Sequence, residues 1–259
     1  TLDALAEQIG HRVSKQALNK YEQGTAKPDP DLLLPLCEAM GVRPDYFTRQ
    51  KQVDIVHYSF RQLGKLQKKE QSMAIEKTRD ALERYFELEE LLGVERSFER
   101  NIPGLPAVII DHNDAERAAE AVRAAFNLGT DPLFNIVEML EDKGIKIIEI
   151  EVEEAFNGMS TYIDDKIPVI VLNSRFDEKL DRKRFTTLHD LAHLLLTFSP
   201  DIDEKLEERL CDTFAGSMLL PGEKVKEILG KHRSALIWNE LVLIKELYGI
   251  SVRAILYRA

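Results

Sequence analysis

The chain has 259 residues, 44% of them apolar and 31% charged, the balance of an ordinary folded protein with one large domain or two smaller ones. A formal net charge of -10 excludes indiscriminate adhesion to nucleic acid over the whole surface, so any DNA contact must come from a local patch. No apolar run approaches the ~18 residues of a membrane span, and Cys37 and Cys211 fall in different predicted domains, which suggests reduced thiols in a cytoplasm rather than a disulfide framework.

Residues 1–50 read as a small helical unit. TLDALAEQIG sets Leu2, Leu5, Ala6 and Ile9 at helical spacing behind Thr1 as an N-cap, and Gly10 ends the segment. Ser14 can cap a second helix, SKQALNKYEQG, whose core face is Ala17, Leu18 and Tyr21 and which stops at Gly24. Helix, short turn, helix is the layout of a DNA-reading motif. Laid in a major groove, the second helix would bring Lys15, Gln16 and Lys20 to base edges, with Ser14 at its start and Asn19 and Gln23 nearer the rim. Arg12, Lys15, Lys20 and Lys27 stand there against Glu22 alone, a local positive patch on an acidic chain. A hairpin used only for packing or dimer formation is the alternative. TLDALAEQIG followed by VSKQALNKYEQGTAKPDPDLLLPLCEAMGV resembles the XRE/Cro family of repressors, with His11 and Arg12 as additional turn residues. The resemblance implies a double-stranded DNA operator as partner. The family's first helix would precede Thr1, so the chain is expected to be part of something longer. Asp29 and Asp31 are expected to cap a helix through Met40, closed by Gly41, with one more turn at Pro44 to Phe47.

Between 51 and 100 the sequence predicts a linker. VDIVHYSF, rich in β-branched and aromatic residues, fits a short strand, and His57 within it is read as a core or surface residue rather than a ligand. From Lys65 to Leu92 there is no proline or internal glycine, and Leu66, Met73, Ala74, Ala81, Leu82, Tyr85, Leu88, Leu91 and Leu92 mark one long amphipathic helix ending at Gly93. Its apolar stripe must be buried somewhere. A homodimer is one expectation, packing against its own C-terminal half the other.

NIPGLP, residues 101–106, opens the third region, 101–259. Asp114 is expected to cap an Ala-rich helix through Asn127, and Asp131 with Pro132 to open another through Lys143. IKIIEIEV, MSTYI and PVIVLN read as three short strands, the last two joined by a turn at Asp164 to Lys166. The fold class is therefore α+β, mainly α. An exposed strand edge over Gly158, Met159, Ser160, Thr161 and Tyr162 could receive an extended peptide by strand addition.

RFTTLHDLAHLLL carries the chemistry. His189 and His193, four apart on a helix, project from one face and can reach one metal ion. Fifteen residues after His193, Glu208 begins a Glu-x3-Asp pair with Asp212 on a second predicted helix. Two His and one Glu form a recurrent zinc set that leaves a position for water. Asp212 could accept a hydrogen bond from one imidazole and fix its tautomer. Next to the first histidine, where H-E-x-x-H zinc peptidases keep a general base, the chain has Asp190, a carboxylate one methylene shorter. His232 and Arg233, between two closing helices, are weaker candidates to stabilise an oxyanion.

DRKRFTTLHDLAHLLL with EERLCDTFAGSMLLP resembles the ImmA/IrrE family of zinc metallopeptidases, minimal gluzincins in which RFTxxHExxHLLL precedes ExxxxxFAxxLLxP. The resemblance implies a minimal zincin with a small three-stranded sheet, His189, His193 and Glu208 as ligands of one zinc ion, and Asp190 at the place of the catalytic Glu. It also implies a regulator that cuts a helix-turn-helix repressor or an antitoxin of a toxin pair. The alternative keeps the fold and drops the chemistry: a repressor or antitoxin whose zincin-like half senses a ligand or grips a partner.

Overall fold

A computed structural model describes residues 1–47, 53, 55, 57–58, 67–94, 97–152, 156–176, 179–230, 232 and 235–259. Thr1–Gln52 and Val53–Ala259 form two compact units.

In the first unit Leu2–Gln8 (α1), Lys15–Glu22 (α2) and Pro30–Met40 (α3) enclose Ala6, Ile9, Leu18, Leu32 and Leu36. The Thr1 and Ser14 hydroxyls accept from the amides of Ala4 and Ala17, capping α1 and α2 as the sequence suggests. Gly10 and His11 both take positive φ, which turns the chain between the two helices. Pro30 opens α3, where its missing N–H has no helical partner to lose. Asp29 stands at the N-cap without a side-chain bond, so it and Asp31 do not cap together as expected.

The second unit is built on a mixed sheet. Lys146–Ile150 (β2) runs parallel to Ile167–Asn173 (β4), which pairs antiparallel with Gly158–Ile163 (β3). Asp164 and Asp165, both at positive φ, make the β3–β4 link a type I′ turn closed by Lys166 N–H to the Ile163 carbonyl at 3.0 Å. The short strand expected within VDIVHYSF is His57–Tyr58 (β1), two residues that pair with β3 and make the three-stranded sheet four-stranded, in the order β1-β3-β4-β2.

Both sheet faces are buried, by side chains that alternate along each strand. Ile148, Ile150, Met159, Val169 and Val171 pack with Ala74 and Leu82 of the long helix, Lys68–Leu92 (α4). The middle of that helix thus packs within the second unit, whereas Met73, Leu88, Leu91 and Leu92 of the expected stripe stay exposed and Leu66 lies outside the described residues. Ile147, Ile170 and Leu172 face the other core, formed with His112–Ala125 (α5), Ile136–Asp142 (α6), Leu180–Leu195 (α7) and Glu204–Leu219 (α8). Three shorter helices follow: Gly222–Leu229 (α9), Trp238–Tyr248 (α10) and Val252–Arg258 (α11).

Two helix starts differ from expectation. Asp111, not Asp114, caps α5: its carboxylate accepts from Asp114 N–H at 2.9 Å while Asp114 reaches back to Ile110 N–H at 3.0 Å. Asn135 caps α6, because the stretch before it supplies carbonyls instead of a helical turn. Gly129 and Asp131 offer theirs to buried Arg123, which also holds the Met218 carbonyl of α8.

Candidate functional site

Helix α7 is fixed at both ends. The Arg184 guanidinium donates to the carbonyls of Leu133, Phe134, Tyr248 and Gly249, and Tyr162 of β3 donates its hydroxyl to the Leu194 carbonyl at 2.8 Å. Leu188, Leu191 and Ala192 are fully buried, so the opposite side chains have little freedom to turn.

His189 and His193 are brought together with Glu208 of α8. The two Nε2 atoms lie 3.2 Å apart. His189 Nε2 is 3.4 Å from Glu208 Oε2, and His193 Nε2 is 3.4 Å from Glu208 Oε1. Zinc bound tetrahedrally through nitrogen and oxygen at ~2.0–2.2 Å would space its ligands by about 3.3 Å, so this donor set fits one zinc ion.

Cys211 competes for the same imidazoles, since its sulfur and one nitrogen of each histidine form a group within 4.8 Å. Its Sγ, however, lies 3.6 Å from His193 Nδ1, the nitrogen turned away from Glu208. A cation on the shared Nε2 side would meet Glu208, while His193 Nδ1 faces the Cys211 sulfur and, at 3.7 Å, Glu207 Oε1. Cys211 lies one turn after Glu208, a spacing that could have marked it in the sequence.

Asp212 occupies the corresponding place behind the other ring, its Oδ1 at 2.9 Å from His189 Nδ1. Burial alone would depress the His189 pKa, but the hydrogen bonds it donates to Asp212 and Glu208 and the charge of Asp190 outweigh it and raise the metal-free value to about 10. The same two imidazoles hold Glu208 well below the usual carboxylate range. Burial, with the neighbouring carboxylates, pushes the Cys211 thiol far up.

Asp190 is 1% exposed and its Oδ2 has no hydrogen-bond partner among the described residues. It faces β3 at Gly158, where a Cβ would collide with Oδ2 and stand 2.9 Å from the Val171 carbonyl oxygen. Gly158 is thus the floor of the Asp190 pocket, a role that the strand pattern does not reveal. Burial raises the Asp190 pKa to about 6, against the lowering influence of both imidazoles.

The remaining residues divide. Thr161 and Tyr162 pair with β1, so that part of the expected strand edge is not open. Met159, Ser160 and Gly158 are buried. His232 is exposed without a hydrogen-bond or ion-pair partner among the described residues, and Arg233 lies outside them. In the first unit Ser14, Lys15, Gln16, Asn19, Lys20 and Gln23 are all exposed on or beside α2. Lys15 Nζ lies 2.6 Å from Asp3 Oδ2 of α1.

Fold and site together define a helix-turn-helix unit joined to a minimal zincin-like unit. Comparison with protein families gives the same division: residues 1–47 match the family described as Helix-turn-helix, and residues 140–259 match the IrrE N-terminal-like domain, a peptidase family. The two ends of the chain thus match, in order, an XRE-type helix-turn-helix and an IrrE/ImmA-like domain, the arrangement of a fusion. No curated protein matches it. Among the described residues no helix is long and apolar enough to cross a membrane.

Proposed function

We propose that this chain is a transcriptional regulator that binds an operator through α2 and carries a zinc-dependent endopeptidase-like domain directed at a helix-turn-helix repressor or an antitoxin. One observation carries the reading: His189 Nε2, His193 Nε2 and Glu208 meet at 3.2 to 3.4 Å, the spacing of ligands around a single small cation. Zinc there would lower the pKa of a bound water towards ~7 and polarise a peptide carbonyl. Asp212 holds the His189 proton on Nδ1, leaving Nε2 free as a donor. Asp190, with its pKa raised to about 6, is the carboxylate suited to take up a proton near neutral pH. The protein then works in the cytoplasm, where its DNA and its protein target both lie.

A second reading rests on Asp190 itself. Its buried oxygen faces Gly158 and its arm is ~1.5 Å shorter than a Glu, which suits a domain that binds its partner without cutting it. The test incubates zinc-loaded chain and its Asp190→Glu variant with helix-turn-helix repressors and antitoxins from the same organism, and follows cleavage by mass spectrometry. Cleavage by both supports the peptidase; cleavage by the variant alone supports the binding role; cleavage by neither removes the peptidase.

A further inference from the structure

A cleft of about 860 Å³ opens behind α8, bounded by α5, α7, α8 and α11, and it includes Asp212, the residue that supports His189. Arg209 and Arg253 line it, both exposed, and among the described residues neither has a carboxylate partner. Tyr257, 84% exposed, and half-buried Phe185 supply aromatic surface beside them. The two carboxylates in the lining are already engaged: Glu116 pairs with Arg258, and Asp212 accepts from His189. A surplus of positive charge in one concavity of a chain with net charge -10 is a local departure that packing does not require.

We propose that this cleft binds an acidic side chain of the peptide handled by the neighbouring metal centre, a specificity site for glutamate or aspartate flanked by an aromatic or apolar residue. The proposal rests on the peptidase-like reading for the identity of the peptide, not for the binding itself. Two guanidiniums can grip a carboxylate through paired charge-assisted hydrogen bonds, while Tyr257 and Phe185 cover the adjoining residue. Glu116 and Asp212 argue against a nucleic-acid strand, whose repeated phosphates would run past both carboxylates. Arg258 is held in place by the Leu220 carbonyl at 3.2 Å and by passage over Gly216, where a Cβ would stand 3.1 Å from Arg258 Cδ. It shapes the wall and leaves the gripping to Arg209 and Arg253.

The test measures fluorescence anisotropy of the zinc-loaded full chain with three labelled probes: an alanine-based decapeptide carrying Glu-Tyr, its Gln-Tyr counterpart, and a short single-stranded oligonucleotide. The Arg209→Ala/Arg253→Ala double variant is compared in parallel, its fold checked by thermal melting, which two exposed side chains should leave unchanged. The glutamate peptide is expected to bind about tenfold more tightly than the glutamine peptide and to lose about that factor in the double variant. Equal binding of the two peptides, or no effect of the double variant, overturns the proposal. So does an oligonucleotide that binds more tightly than the glutamate peptide with the same arginine dependence. Binding is read without turnover, and cleavage of the same peptide, followed separately, reports on the peptidase reading alone.

Discussion

Replacing Asp212 separates the metal site from its support. Its Oδ1 accepts from His189 Nδ1 at 2.9 Å, and no other described side chain is seen to hold that nitrogen. Loss of such an outer partner typically costs ~10- to 100-fold in metal affinity. Asp212 has 56% side-chain exposure, so water can replace part of what the carboxylate provides and the lower end of that range applies. We therefore expect Asp212→Ala to weaken zinc binding about tenfold, or roughly 1.4 kcal/mol, in competition with a chromophoric chelator. Asp212→Asn keeps an acceptor but loses the charge, and should fall between parent and Ala. An Ala variant that holds zinc as tightly as the parent would show that His189 needs no fixed tautomer, and the argument from second-nitrogen support would fail.

Three further outcomes follow from the same geometry. His193→Ala should abolish stoichiometric zinc binding measured by elemental analysis; retention of one zinc per chain would mean that the ion sits elsewhere. Gln16→Ala should cost about 1–3 kcal/mol of operator discrimination in competition footprinting, with zinc content unchanged; an identical footprint removes that side chain from base reading. In metal-free protein His189 is raised from 6.5 to about 10, so its contribution to stability is complete below about pH 6.5 and is lost as pH rises towards 10. Thermal melting after chelation should thus fall across that window, and a flat profile refutes the assigned partners of His189.

The meeting of His189, His193 and Glu208 was legible in the sequence, because helical spacing alone aligns the two histidines and the second Glu-x3-Asp pair repeats the device on the next helix. The three main strands were legible in IKIIEIEV, MSTYI and PVIVLN, and the continuous apolar run of PVIVLN is what a strand covered on both faces requires. What the sequence conceals is long-range. The stripe on α4 shows that Ala74 and Leu82 must be buried, yet not against what; only the sheet's second apolar face answers that. Arg123 and Arg184 look like ordinary surface charges, but each gathers carbonyls from distant loops, and no local pattern encodes that. Cys211 touches His193 from a helix that the sequence only places nearby.

Asp190 is more than a shortened glutamate, because its surroundings are shaped to it. Its pocket is closed on the strand side by the backbone at Gly158 and the Val171 carbonyl, and on its own helix by the Thr186 methyl, all placed where even a Cβ at position 158 has no room. A residue one methylene longer, on a helix held by Arg184 and Tyr162, cannot extend towards β3. Its carboxylate must take up the added ~1.5 Å on the side of the imidazoles and Glu208, the charges that already act on Asp190. The exchange of Asp for Glu therefore relocates the carboxylate relative to the metal ligands as well as lengthening it. The present residue keeps its Oδ2 buried and without a hydrogen-bond partner among the described residues, and burial raises its pKa. Asp190 and Gly158 together, more than Asp190 alone, thus fix where this carboxylate stands beside His189, His193 and Glu208, and on the proposed reading that position decides between cleavage and binding.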